Sequence, residues 1–154
     1  MEIARFTKAS FAVLGKEGST DQGEGFIQRL WADANGHFSQ IAHLALQDDR
    51  GRPAGIWGAM TDCSRAFLPW EEFRRGLYLA GVECAQDVRA PEGWVKWTVP
   101  GFEYLRVRQE SRDTFREVLS YMRERSIPLS GAVQEFYPPD RPGAPDLLFP
   151  VRRL

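Results

Sequence analysis

Two glutamates are set in segments whose other residues belong in a core. Glu83 nearly ends the run Leu77, Tyr78, Leu79, Ala80, Gly81, Val82, Glu83, Cys84, in which every neighbour back to Leu77 is apolar or glycine. Glu135 lies in Ala132, Val133, Gln134, Glu135, Phe136, Tyr137. Strand alternation puts Val133, Glu135 and Tyr137 on one face and Ala132, Gln134 and Phe136 on the other. A carboxylate so placed either faces solvent or is buried, and burial is costly without a partner.

A buried glutamate beside aromatic rings has two uses. Ionised, it balances an apolar cation, with the rings adding cation–π attraction. With its pKa raised by desolvation, it serves as a general acid or base. The chain is rich in rings, with five Trp, ten Phe and four Tyr. Those expected near such a pocket are Trp57, Trp70, Trp94, Trp97, Tyr78, Phe102 and Tyr104, with Tyr137 on the face of Glu135; the same rings also suit plain core packing. Asp62 and Glu103 have turn residues beside them and are milder candidates. Trp31 falls on the apolar stripe of a helix and is expected in the core. Arg106 and Arg108 alternate with Leu105 and Val107 and read as the wet side of a strand.

Other chemistries have no support. There is no GxSxG elbow, phosphate loop, HExxH or dinucleotide GxGxxG, so no cofactor is expected. His37 and His43 are the only histidines, and Cys63 and Cys84 lack CxxC spacing, which argues against a metal site, a catalytic triad or a disulfide. Twenty basic residues against 21 acidic ones give a net charge of −1, no footprint for nucleic acid. No leader peptide is evident at the start, and no apolar run approaches the roughly 20 residues that span a bilayer. A cytoplasmic protein with reduced thiols and no membrane partner is expected.

Periodicity gives the elements that must position these residues. Residues 11–14 read as a strand. Phe26, Ile27, Leu30, Trp31 and Ala34 have helical spacing, stopped by Asn35-Gly36. Residues 37–47 are ambiguous and 48–53 a loop. Residues 55–61 and 76–84 read as strands, as do 94–99 and 102–108. Phe115, Val118, Leu119 and Met122 mark a helix over 113–125, with Thr114 and Glu117 at capping-box spacing. Residues 132–137 and 147–153 are strands separated by a Pro-rich loop. The order is that of a duplicated strand–helix–strand–strand unit, with halves at about 1–88 and 89–154 of a single domain. The expected fold is α+β, a mainly antiparallel sheet with two helices on one face and a cleft on the other face or at the seam between halves. The stretch 147–153 is expected to be a sheet edge, able to mediate a homodimer or protected by Arg152 and Arg153.

One ordered succession of motifs is more specific. It comprises Leu30-Trp31, the Ala-Gly-Val-Glu ending at Glu83, Pro91-Glu92-Gly93, Trp97-Thr98-Val99-Pro100, the Tyr104 strand and Glu135-Phe136-Tyr137 before the last strand. From about Phe11 to Leu154 the chain resembles the GyrI-like domains, the effector-binding domains of AraC-type and MerR-type multidrug regulators. The resemblance implies the same duplicated fold with a ligand cleft between the halves. It implies that Glu135 sits at the bottom of a pocket for cationic aromatic ligands, with Glu83 in the same central region. Some stand-alone members of that family are hydrolases opening cyclopropane-containing compounds, and others are linked to protection of DNA gyrase. Only about ten residues precede the first strand, without a helix-turn-helix, so a stand-alone form is expected. The aromatic stretch 55–70 suggests a large flat ligand.

Three functions follow from this reading: a binder of apolar, aromatic or cationic small molecules through Glu135; a hydrolase of electrophilic small molecules in which Glu135 or Glu83 activates water; and a protein-interaction module such as a gyrase modulator.

Overall fold

A computed structural model describes residues 1–154. Its regular elements are β1 (Ile3–Lys8), β2 (Phe11–Ser19), α1 (Phe26–Gly36), β3 (Ile56–Thr61), β4 (Leu77–Cys84), β5 (Val95–Val99), β6 (Phe102–Arg108), α2 (Thr114–Glu124), β7 (Gln134–Tyr137) and β8 (Asp146–Arg153). The eight strands form one antiparallel sheet in the order β1-β6-β8-β7-β3-β4-β2-β5. The expected α+β class, antiparallel sheet and two helices are all present.

The strand order reveals the duplication. Adding four to each strand number of the first half reproduces the second half in mirror order about the β3–β7 pair. Each half has one strand more than the strand–helix–strand–strand unit. In the first half that strand is β1, which the sequence reading passed over because the alternation in 3–8 is weak, with Ala4 and Arg5 both exposed. Each extra strand pairs with the opposite half, β1 with β6 and β5 with β2.

Two short connections curl the sheet. β1 and β2 stand at positions one and seven of the strand order, yet only two residues join them; the same holds for β5 and β6. Such joints are possible only if the two ends of the sheet come together. Lys8 of β1 accordingly reaches Glu83 of β4 at 3.2 Å and lies 4.6 Å from the Phe11 ring centroid. The inner face closes on its own side chains, among them Phe11, Val13, Trp57, Leu79, Trp97, Phe102, Tyr104 and Leu148. The outer face carries both helices. α1 packs on Leu14, Tyr78, Ala80 and Val82, and α2 places Val118 and Met122 against Leu105, Val107, Leu147 and Phe149.

Three local expectations are corrected. β8 is not an edge: it lies between β6 and β7, and the edges are β1 and β5. Pro150 is accommodated there by a register shift opposite Glu103 and Tyr104. The Thr114 hydroxyl does not cap α2 through a box with Glu117; it accepts the backbone N–H groups of Glu110 and Ser111. Arg106 is only partly wet, since its guanidinium binds Asp146 and lies over the Phe6 and Phe136 rings. The ambiguous residues 37–47 hold two 3-10 turns, Phe38–Gln40 and Ala42–Leu44, too short to show a period. No helix is long and apolar enough to cross a membrane.

Candidate functional site

The two halves meet where β3 and β7 pair, over Ile56↔Tyr137, Trp57↔Phe136 and Gly58↔Glu135. Alternation sends Trp57 and Phe136 to the inner face, their ring centroids 4.8 Å apart. Ile56, Gly58, Glu135 and Tyr137 point to the outer face, between α1 and α2. Beyond Gly58 the strands separate, and the buried Gln134 side chain continues the ladder: its Oε1 accepts the Met60 N–H at 2.8 Å and its Nε2 donates to the Met60 carbonyl at 2.9 Å.

Gly58 has a steric reason. A Cβ there would lie 2.1 Å from the Tyr78 hydroxyl and 2.4 Å from Glu135 Oε1. The missing side chain leaves room for Tyr78 to donate its O–H to Glu135 Oε1 at 2.5 Å. Tyr78 in turn accepts the Trp31 Nε1–H at 3.0 Å. The Tyr78 bond is the only one the carboxyl receives, and no cation reaches it. Burial therefore pushes the Glu135 pKa above its ordinary value, with the Tyr78 hydrogen bond acting in the opposite direction. Burial and then the Glu135 charge push the Tyr78 phenol up strongly, and the same two causes push Tyr137 up to about 12.

Hollows open on both sides of this centre. One, of about 470 Å³, lies between α1 and the loop 138–143 and is walled by Trp31, Asn35, Ile56, Tyr137, Arg141 and prolines. Trp31 and Tyr137 meet edge to face there, with centroids 5.5 Å apart. The other, of about 230 Å³, is almost wholly apolar and is lined by Met60, Pro69, Trp70, Phe73, Phe115 and Val133. Ile56, Gly58 and Met60 follow one another on one face of β3, as do Val133, Glu135 and Tyr137 along the chain leading into β7. Glu135 and Gly58 thus stand between the two hollows.

The residues singled out from sequence divide between the two faces. Glu135, Tyr78, Tyr137 and Trp70 are on the outer face, in or beside this arrangement. Trp94 is on that face but farther along, in a pocket of about 180 Å³ that also touches Trp31 and Ile56, and its Nε1–H donates to Gln40 at 2.8 Å. Glu83, Trp57, Trp97, Phe102 and Tyr104 are on the inner face. Glu83 accepts the Trp57 Nε1–H at 3.0 Å and pairs with Lys8 at 3.2 Å, so it shares no pocket with Glu135. Trp97 donates to Glu17 at 2.6 Å, and Phe102 packs on Tyr104. Asp62 organises its loop by accepting the N–H groups of Ser64, Ala66 and Leu68, and Glu103 is paired with Arg5 and Arg152.

Trp31, Phe115 and Arg141 line the hollows although periodicity gave the first two to the core and passed over the third. Helical spacing cannot distinguish a buried stripe from a crevice wall. Gly58 was passed over too, although a glycine inside an aromatic strand is a signal for close approach of another group.

No family model matches the chain, and no curated protein matches it in sequence. Solved structures match it in fold. SAV2435 bound to tetraphenylphosphonium is 16% identical, covering 99% of this chain and 94% of its own, with a TM-score of 0.68. The C-terminal domain of EcmrR is 14% identical over 99% and 98% of the two chains, also with a TM-score of 0.68. An integron cassette protein of Vibrio cholerae is 17% identical over 97% and 95%, with a TM-score of 0.60. The chain thus has the fold of the EcmrR C-terminal domain and of SAV2435, the GyrI-like fold that its ordered motifs imply.

Proposed function

We propose that this chain binds apolar, aromatic small molecules, cationic ones among them, in the crevice over the β3–β7 seam, with Glu135 at its floor. The observation that carries the reading is the state of that carboxyl: one hydrogen bond, no cation, and a hollow with aromatic walls on either side. A ligand cation placed there supplies the missing charge partner and favours the ionised form that burial disfavours. Trp31 and Tyr137 on one side, with Trp70 and Phe115 on the other, offer the apolar area and ring faces that such a ligand needs. The larger hollow has the size of ordinary small-molecule sites, about 300–1,000 Å³. Tetraphenylphosphonium, bound by the structurally similar SAV2435, belongs to this chemical class.

The test compares tetraphenylphosphonium with the neutral triphenylphosphine oxide by titration calorimetry on wild type and Glu135→Gln. Removing the charge should weaken the cation by about tenfold or more and the neutral compound by less than about twofold, the difference expected for one charged contact. Equal loss for both compounds, or no binding of either to wild type, would defeat the reading.

A second reading rests on the same raised pKa. A carboxyl whose pKa burial raises, beside two phenols, can move a proton, which suits hydrolysis of electrophilic small molecules. With Glu83 engaged by Lys8 and Trp57 on the other face, that chemistry falls to Glu135. A cytoplasmic location, with Cys63 and Cys84 as free thiols, goes with either reading.

A further inference from the structure

We propose that the larger hollow also selects for an anionic group, held by Arg141, so that its preferred ligands join an aromatic body to a carboxylate or phosphate. The inference rests on the crevice being the ligand site, and adds a second polar anchor that Glu135 cannot provide.

Arg141 is the only charged residue lining the hollow. The loop that carries it contains Pro138, Pro139, Pro142 and Pro145, which restrict its backbone, and the guanidinium is held by Asp146 and the Ala144 carbonyl. Its charge is not fully matched within the fold. Asp146, buried at the start of β8, receives Arg141 on one carboxylate oxygen and Arg106 on the other. One carboxylate thus serves two guanidiniums, and a positive charge is left over. Arg141 makes no ion pair with the adjacent Asp140 or with Glu135, and Asp48 is taken by Arg52.

The donor inventory agrees with the charge count. Every hydrogen bond of Arg141 runs through Nη2, to Asp146 and to the Ala144 carbonyl. Its Nε–H is buried without an acceptor, and Nη1 has no partner. A guanidinium is a fork of five donors shaped for the two oxygens of a carboxylate or phosphate. Here Nη2 is engaged and Nε is buried out of a ligand's reach, so Nη1 is the arm left for an anion, and the Trp31 and Tyr137 rings wall the same hollow. An amphiphile could lay its ring system on Trp31 and Tyr137 and its acid on Arg141.

Rhodamine 110, a zwitterion with a free carboxylate, and its methyl ester rhodamine 123 differ only in that acid, and both report by fluorescence anisotropy. Wild type should bind the acid about tenfold more tightly than the ester, the effect of one charge-assisted pair. Arg141→Gln should abolish the preference while leaving the ester within about twofold. Arg141→Lys, which keeps the charge and the contact with Asp146, should retain part of it and covers the case in which the glutamine variant does not fold. Trp31→Ala should weaken both dyes. Equal affinities in wild type, or a preference that survives Arg141→Gln, would overturn the anion site alone. Failure of both dyes to bind, or binding indifferent to Trp31, would overturn the crevice reading and this inference with it.

Discussion

The two faces of the sheet handle part-buried carboxylates in opposite ways. On the inner face, Glu83 receives the Lys8 ammonium and the Trp57 indole N–H. Glu17 receives the Arg65 guanidinium on both oxygens and the Trp97 indole N–H. Each has one cation and one tryptophan, and the Arg65 guanidinium holds the Glu17 carboxyl below its ordinary pKa. On the outer face, Glu135 has a phenol and an indole behind it but no cation, and its pKa is held up instead. A carboxylate with its charge matched serves to close a core. The Glu135 carboxylate lacks that match, and under the proposed function the missing component is the one a cationic ligand would bring.

This contrast predicts that inner-face substitutions act on stability and outer-face ones on binding. The largest effect should come from Trp57→Ala. Trp57 is 1% exposed and touches Phe11, Phe136 and Glu83. Its truncation should cost about 3–5 kcal/mol by urea denaturation. The affinity for tetraphenylphosphonium, measured where the variant is still folded, should stay within about threefold of wild type, less than 1 kcal/mol. A loss of stability below about 1 kcal/mol would mean that the inner face is not the principal core.

A smaller effect is expected from Glu83→Gln. The amide can still accept the Trp57 N–H but no longer balances Lys8, and the pair is partly screened, so the cost should be about 1 kcal/mol. Ligand affinity should not change. A large loss of tetraphenylphosphonium binding in this variant would break the comparison, because it would couple the two faces through the sheet.

Most of the scaffold was legible in the sequence because the elements that build it have clear periods. The stripe of Phe115, Val118, Leu119 and Met122 and the alternation around Glu135 could hardly be arranged otherwise. What was not legible depends on how the sheet curls. Trp57 and Tyr78 lie in neighbouring strands with similar apolar surroundings, and nothing local tells which ring faces inward. That is decided by the two-residue joints between β1 and β2 and between β5 and β6, which bring distant strands together. For the same reason Glu83 and Glu135 looked alike: Lys8, the partner that separates them, comes from a strand with weak alternation at the far end of the sheet. Arg141 gave no local signal, since its neighbours are those of any Pro-rich loop and its surplus charge emerges only when Arg106 reaches the same aspartate.

The effect closest to the contrast itself is in the pH dependence of Glu135. Its folded pKa lies above the ordinary carboxyl value of 4.5. Below that value the group is protonated in both folded and unfolded chains, and its full contribution to stability is present. As pH rises above 4.5 the unfolded chain releases its proton first, so the contribution is lost progressively until the folded pKa is passed. Glu135→Gln has no such titration. The melting temperature of wild type minus that of Glu135→Gln should therefore fall as the pH rises from 4.5 through the folded pKa, and level off above it. Saturating tetraphenylphosphonium should reverse the trend, because a bound cation favours the carboxylate. A difference that is flat with pH, or that rises, would mean the Glu135 charge is already matched in the free protein, and the distinction between the two faces would disappear.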